Sequence, residues 1–482
     1  MSTLQRRVAP IGTVLSGSKV LRSLLLAATA ATAALVPSGG AHALTAIESL
    51  GKNVFFDTTL STPRGKQACA SCHDATRGWT FPNATVNRTT VAAPGAVSGA
   101  VGSIKTPPNA YASLYPDFQF SALPVPFIAP WLGGNFWDGR AEGCGETAGP
   151  CPVGKGVVSA TIKPSDLPAS KRGIYAKYLG PTADQALNPF PNPVEQNIPI
   201  DQVCNVVKLG KYGGLYRAAY GEAIDCSAYP AASPAYLTSF KRIAVALAAW
   251  QSSSEVNSFS AKRDRALRQE KDRQFPLRQF TRQENLGHDL FYGIASDLNP
   301  ARPDGSVPNG SCNACHNGVP VGETPDPVNG TAKHELYTDS RFHNIGVPFN
   351  PAIPGVPFGS KTGLAAHVPN GQGVVPGLFK TPTLRNASKG LGGGFTKAFT
   401  HNGWFKSLEG LVHFYNTRDV LPRCAARVTT EVEALRYGCW PAPEFANPAI
   451  GVVGNLGLNK EQELAIVAYV KTLSDTITPR KP

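Results

Sequence analysis

The chain carries the pattern Cys-x-x-Cys-His twice, as Cys69-Ala70-Ser71-Cys72-His73 and as Cys312-Asn313-Ala314-Cys315-His316. Chemistry sets that spacing. Two thiols bond the vinyl groups of one haem, and the adjacent histidine falls under the iron as its proximal ligand. A zinc site would need four ligands closing one tetrahedron, and neither pattern has a second Cys-x-x-Cys nearby. A thioredoxin-like redox pair would not put histidine in the same place twice. Two covalently bound haem c groups are therefore expected, held by Cys69, Cys72, Cys312 and Cys315, with His73 and His316 as iron ligands.

The N-terminus reads as an export signal. Arg6, Arg7, Lys19 and Arg22 precede the apolar run Leu24–Val36, which is too short to span a bilayer. Ala41-His42-Ala43 gives a small-x-small cleavage site, so residues 1–43 are expected to leave and the mature chain to begin at Leu44. A retained anchor is the competing reading. No later segment is apolar for long enough to cross a membrane, so the expected location is the periplasm, with no membrane span in the mature chain. The formal charge of +13 favours acidic partners, but the Cys and His pattern argues against nucleic acid. The one methionine is Met1. Once the leader is gone, no thioether remains to ligate a metal.

The run-ups to the two patterns are alike: Leu50-Gly51-Lys52-Asn53-Val54-Phe55-Phe56 and Leu286-Gly287-His288-Asp289-Leu290-Phe291-Tyr292. Both read as an apolar helix feeding a haem-binding loop, the second with a capping box at Thr281 and Glu284. This predicts an internal duplication, with residues 44–270 and 271–482 each forming a haem domain. The boundary falls in a basic stretch, 255–280, which reads as a solvated linking helix or as a docking face for an acidic partner. Residues 142–183 read as a Gly/Pro/Lys-rich surface insertion. Leu237–Trp250 reads as a buried helix, and Asn459 and Gln462 cap a last helix spanning 459–474. With 48 Gly, 42 Pro and few strand signals, the expected fold is mainly α and loop-rich, with little β. The remaining cysteines suggest three disulfides. Proximity favours Cys144–Cys151, Cys204–Cys226 and Cys424–Cys439 among 15 possible connectivities.

These motifs, in order, resemble the bacterial dihaem cytochrome c peroxidases and their MauG-like relatives, which oxidise residues of a partner protein. The likeness covers nearly all of the mature chain. It rests on Leu50–Phe81, Phe136-Trp137-Asp138-Gly139-Arg140-Ala141, Asn192-Pro193-Val194-Glu195, Phe342-His343-Asn344-Ile345-Gly346, Phe379–Asn386 and His401-Asn402-Gly403. The resemblance implies two tandem cytochrome c-like domains, the first haem reacting with hydrogen peroxide and the second storing or relaying an electron. It implies that Trp137 lies between the haems and that Glu195 stands over the peroxide-binding haem. Gln185 would orient peroxide, and Pro189 would limit the space above the iron.

Two departures from the methionine-ligated members matter. Asp74 to Trp131 contains no histidine, so the first haem is expected to be open without reductive activation. At the second haem, methionine is impossible and Tyr415 stands at the equivalent position. Leu408, Leu411, Val412 and Tyr415 share one helical face, while His413 lies on another. Phenolate ligation lowers the reduction potential, and MauG-like members use it to share two oxidising equivalents across both haems. His401 is implied beside the second haem as a hydrogen-bonding group, and His343 as a neighbour of the site or simply a loop residue. The family also implies a calcium ion between the haems, with Thr396 and Ala398 as carbonyl ligands and Asn109 as the nearest Asn candidate.

The expected function is a periplasmic dihaem peroxidase drawing electrons from a small redox protein, a cytochrome c or a cupredoxin. Alternatives are a MauG-like oxidase that modifies a protein substrate, a dihaem electron carrier without enzyme activity, and a haem-dependent dioxygenase of polymers.

Overall fold

Each haem-attachment pattern follows a short helix that crosses another helix at a glycine. Thr45 caps the Ala46–Phe56 helix, its hydroxyl accepting from the Glu48 N–H while the Glu48 carboxylate accepts in return. Ile47, Leu50, Val54 and Phe55 form its buried face. At Gly51 the Ala235–Gln251 helix passes so close that a Cβ would lie 1.9 Å from the Ala246 carbonyl oxygen. The arrangement recurs in the second half. Thr281 and Glu284 cap the Arg282–Tyr292 helix in the same reciprocal way. Gly287 then meets the Lys460–Lys471 helix, where a Cβ would lie 1.9 Å from the Ala465 carbonyl oxygen. Gly51 and Gly287 hold corresponding places in the two run-ups, so one helix crossing serves both halves.

The computed structural model describes residues 43–121, 130–143, 153, 162–369, 372–446 and 452–482. Leu44–Pro482 forms one compact unit. It is mainly helical and loop-rich. Among the described residues the β-structure is two short antiparallel pairs. Gln119–Phe120 pairs with Trp131–Leu132, and Phe342–His343 pairs with Phe379–Lys380. One hydrophobic core gathers Leu50, Val54, Trp79, Phe190 and Trp250, with Cys69 against it. A second gathers Leu290, Phe291, Phe405, Trp440 and Ile466, with Cys312 against it. Full burial of such side chains contributes ~1.5–3 kcal/mol each.

Several expectations shift. The last helix is Lys460–Lys471, shorter than 459–474, with Asn459 and Gln462 capping it as anticipated. Within the expected insertion, 142–183, the described residues Ile162, Leu167, Leu179 and Ala183 are buried in the first core. Nor is the basic stretch wholly solvated. Arg263 and Asp264, in the Lys262–Gln269 helix, are buried, and Arg385 grips Asp264 with Nη1 and Nη2 at 2.9 and 3.0 Å. Cys204–Cys226 and Cys424–Cys439 are disulfide-bonded. The expected Cys144–Cys151 bridge lies outside the described residues, as does the leader through residue 42.

Candidate functional site

The first attachment pattern opens on a cavity of about 570 Å³. Cys69–Cys72 form a single helical turn, and His73 follows as its cap. The His73 Nδ1 lies 3.1 Å from the Trp79 carbonyl oxygen, which fixes the ring and leaves Nε2 for a metal. Burial pushes the imidazole down to about 4, so it is neutral, the form that binds iron. Gln185, Pro189 and Glu195 also line this cavity. Among the described residues lining it, His73 is the one histidine.

Glu195 stands in a turn whose backbone closes with its N–H donating to the Asn192 carbonyl at 3.0 Å. The Asn192 amide donates to Glu195 Oε1 at 2.8 Å. Burial raises this carboxyl above the usual range, opposed by the Arg140 charge and the Asn192 hydrogen bond. A carboxylate held this way accepts a proton more readily than an exposed one.

The second pattern opens on a smaller cavity of about 190 Å³. His316 Nδ1 lies 2.7 Å from the Tyr337 carbonyl oxygen, repeating the arrangement at His73. Leu408, Leu411, Val412 and Tyr415, all on the Leu408–Thr417 helix, line this cavity together with Cys312, Cys315 and His316. His413 turns away, its Nδ1 2.8 Å from Glu463 Oε1. Burial holds the Tyr415 phenol well above its ordinary range. Its hydroxyl meets no hydrogen-bond partner among the described residues.

Trp137 lines both cavities. It sits in a tight loop with Phe136 at φ 65° and Gly139 at φ 79°. A Cβ on Gly139 would lie 2.7 Å from the Phe342 ring, so this position needs glycine on two counts. The Arg140 guanidinium lies 3.8 Å over the Phe136 ring and 2.8 Å from Asp138. The Trp137 indole N–H donates to the Lys105 carbonyl at 2.8 Å. His401 meets Trp137 edge-on at 6.4 Å and stacks on Phe379 at 3.4 Å. Its Nε2 is buried without a hydrogen-bond partner, 3.9 Å from Glu444. His343 also lines the second cavity, its Nε2 2.7 Å from Asp339 Oδ2.

These donor sets fit haem c. Each cavity offers two free thiols and one imidazole whose far nitrogen is already held. The residues do not fit calcium in the same way. Asn109 lines the first cavity, Ala398 lines the second and Thr396 lines neither. The Thr396 carbonyl already accepts from the Asn87 amide at 3.0 Å. Sequence reasoning missed Lys105, Lys380 and Lys397, all buried. Lysine is so often exposed that nothing local marks these three.

Two Cys-x-x-Cys-His patterns, each beside its own cavity in a mainly helical chain, point to the class of dihaem c-type proteins. Residues 45–272 match the family model described as di-haem cytochrome c peroxidase. The methylamine utilization protein MauG of Paracoccus denitrificans (strain Pd 1222) is 28% identical over 471 residues, 94% of this chain and 96% of that one. The crystal structure of the diheme peroxidase BthA from Burkholderia thailandensis E264 superposes with a TM-score of 0.57 at 23% identity, over 89% of this chain and 86% of that one. A MauG-like protein associated with microbial copper homeostasis gives 0.53 at 20% identity, over 89% and 90%. The chain is thus similar to the dihaem cytochrome c peroxidases over residues 45–272 and to MauG over nearly its whole length.

Proposed function

We propose that this chain is a periplasmic oxidoreductase that consumes hydrogen peroxide at the Cys69–His73 haem and relays electrons from the Cys312–His316 haem. Residues 44–270 form the peroxide-reacting half and residues 271–482 the electron-transfer half. The observation that carries this reading is the first cavity, which has one histidine and has Glu195 in its lining. When bound, the two haems supply the iron at which the oxygen–oxygen bond breaks and a second centre that holds an oxidising equivalent.

The chain's own residues supply the rest. Glu195 takes a proton from the inner peroxide oxygen and returns it to the outer one. Gln185 orients the peroxide and Pro189 limits the space beside it. Trp137 offers a π-system between the two cavities, held by its indole N–H on Lys105. His316 and Tyr415 hold the second iron, Tyr415 as a hard anionic donor that lowers the potential. His401 Nε2 is the donor or acceptor beside it. The electrons that complete the reaction come from a small redox protein, a cytochrome c or cupredoxin.

Similarity to MauG over almost the whole chain favours a second reading, in which a partner protein's residues supply those electrons and are modified. Mixing the oxidised dihaem holoprotein with peroxide in a stopped-flow spectrometer tests the shared step. A haem absorbance change without prior reduction is expected; no change until an electron is added would contradict it. Steady-state turnover with reduced cytochrome c separates peroxide removal from partner modification.

A further inference from the structure

We propose that the ammonium groups of Lys105 and Lys397 stand as fixed cations between the two haem sites, in place of a divalent metal, and that they face the haem carboxylates. Lys105 is 7% exposed and Lys397 is 3% exposed. Lys105 lines both cavities, and Lys397 lines the second. A lysine side chain is rarely buried unless paired. Among the described residues, no carboxylate acts on either ammonium.

Their hydrogen bonds are few and go to backbone oxygens. Lys105 Nζ donates to the Thr106 carbonyl at 3.0 Å. Lys397 Nζ donates to the Asn386 carbonyl at 2.8 Å and reaches Lys389 O at 3.5 Å. A third lysine, Lys406, adds to the positive field acting on Lys105. A buried ammonium has three donors and a large desolvation cost, so it calls for an anion. Each haem carries two propionate carboxylates, and the cavity walls these lysines form belong to the haem sites.

The chain is built around these side chains. A Cβ on Gly78, five residues beyond His73, would lie 2.6 Å from Lys397 Nζ and 2.4 Å from the Asn386 carbonyl oxygen, at a position with φ +69°. Lys105 is fixed by its own backbone: its N–H donates to the His401 carbonyl at 3.0 Å, and its carbonyl accepts from Trp137. Its Nζ lies 5.8 Å from the Trp137 ring centroid. One lysine thus contacts Trp137 and His401 and borders both haem sites. Meanwhile the backbone oxygen expected to hold calcium, on Thr396, accepts a hydrogen bond from the Asn87 amide at 3.0 Å.

The inference needs both haems in place but not the peroxide reaction, and its test uses no peroxide. Dihaem holoprotein is dialysed against calcium-containing buffer, then against metal-free buffer, and analysed for metal by mass spectrometry. Far less than one calcium per chain is expected; one calcium per chain overturns the proposal. Optical redox titration is then run on wild type, Lys105→Met and Lys105→Arg. Loss of a cation beside a haem disfavours the reduced state, so Lys105→Met should shift at least one midpoint potential downward, with Lys105→Arg restoring most of it. Unchanged potentials in Lys105→Met would also overturn the proposal. If Lys105→Met fails to take up haem, the wild-type calcium content still decides.

Discussion

Glu195 is where one side chain's chemistry is most exposed to test. Burial raises its carboxyl above the ordinary glutamate range, against the pull of Arg140 and Asn192. The proton-accepting form therefore appears only above an apparent pKa higher than that of an exposed glutamate. The rate of reaction with peroxide should rise with pH through that value and then level off. Glu195→Gln should flatten this limb and slow the reaction ~10²–10⁴-fold, read from stopped-flow rates across pH. A retained limb in that variant would move the base elsewhere. Tyr415→Phe should alter the second haem's spectrum while leaving His73 and its cavity as they are; an unchanged spectrum would remove Tyr415 as a ligand. Tyr415 was singled out because the resemblance puts it at the second haem's ligand position, and the helical face it shares with Leu408, Leu411 and Val412 agrees with that. Lys105 was not. Its burial is decided by packing against residues as distant as His401 and Trp137, and no local pattern encodes that.

Among the elements, the two helix crossings carry the architecture. Both depend on a glycine that lets one backbone rest on another, Gly51 on Ala246 and Gly287 on Ala465. Alanine at either place would put a methyl group on a carbonyl oxygen. Gly51→Ala and Gly287→Ala should each destabilise the holoprotein by at least ~3 kcal/mol, the upper end for overpacking, measured by denaturant unfolding. A loss under 1 kcal/mol would show that the helices slide apart freely. The two helices could be anticipated from the paired Leu-Gly run-ups and, in the second half, from the capping box at Thr281 and Glu284, but not which helix each would cross. Their ends were less legible. The last helix stops at Lys471 although apolar residues continue through Leu473. The stretch 142–183 looked like an insertion by composition, yet at its end Pro181–Ala186 is a helix that carries Gln185 to the first cavity. Glycine and proline content records loops, not whether a loop is buried.

At the scale of the whole molecule, two cores each back one haem site, and Trp137 and Lys105 line both cavities. The basic stretch before the second half shows why charge counts mislead at this scale. Arg263 and Asp264 are counted with surface charges in the sequence, but in the fold they join Glu335 and Arg385 in a buried network. The central claim concerns the difference between the two haem sites: the first with an open face beside Glu195, the second closed by Tyr415. Electron paramagnetic resonance of the oxidised dihaem holoprotein tests it most directly. The account predicts one high-spin ferric haem, assigned to the first site by its response to an added small ligand. Two low-spin haems, both unresponsive to that ligand, would contradict it.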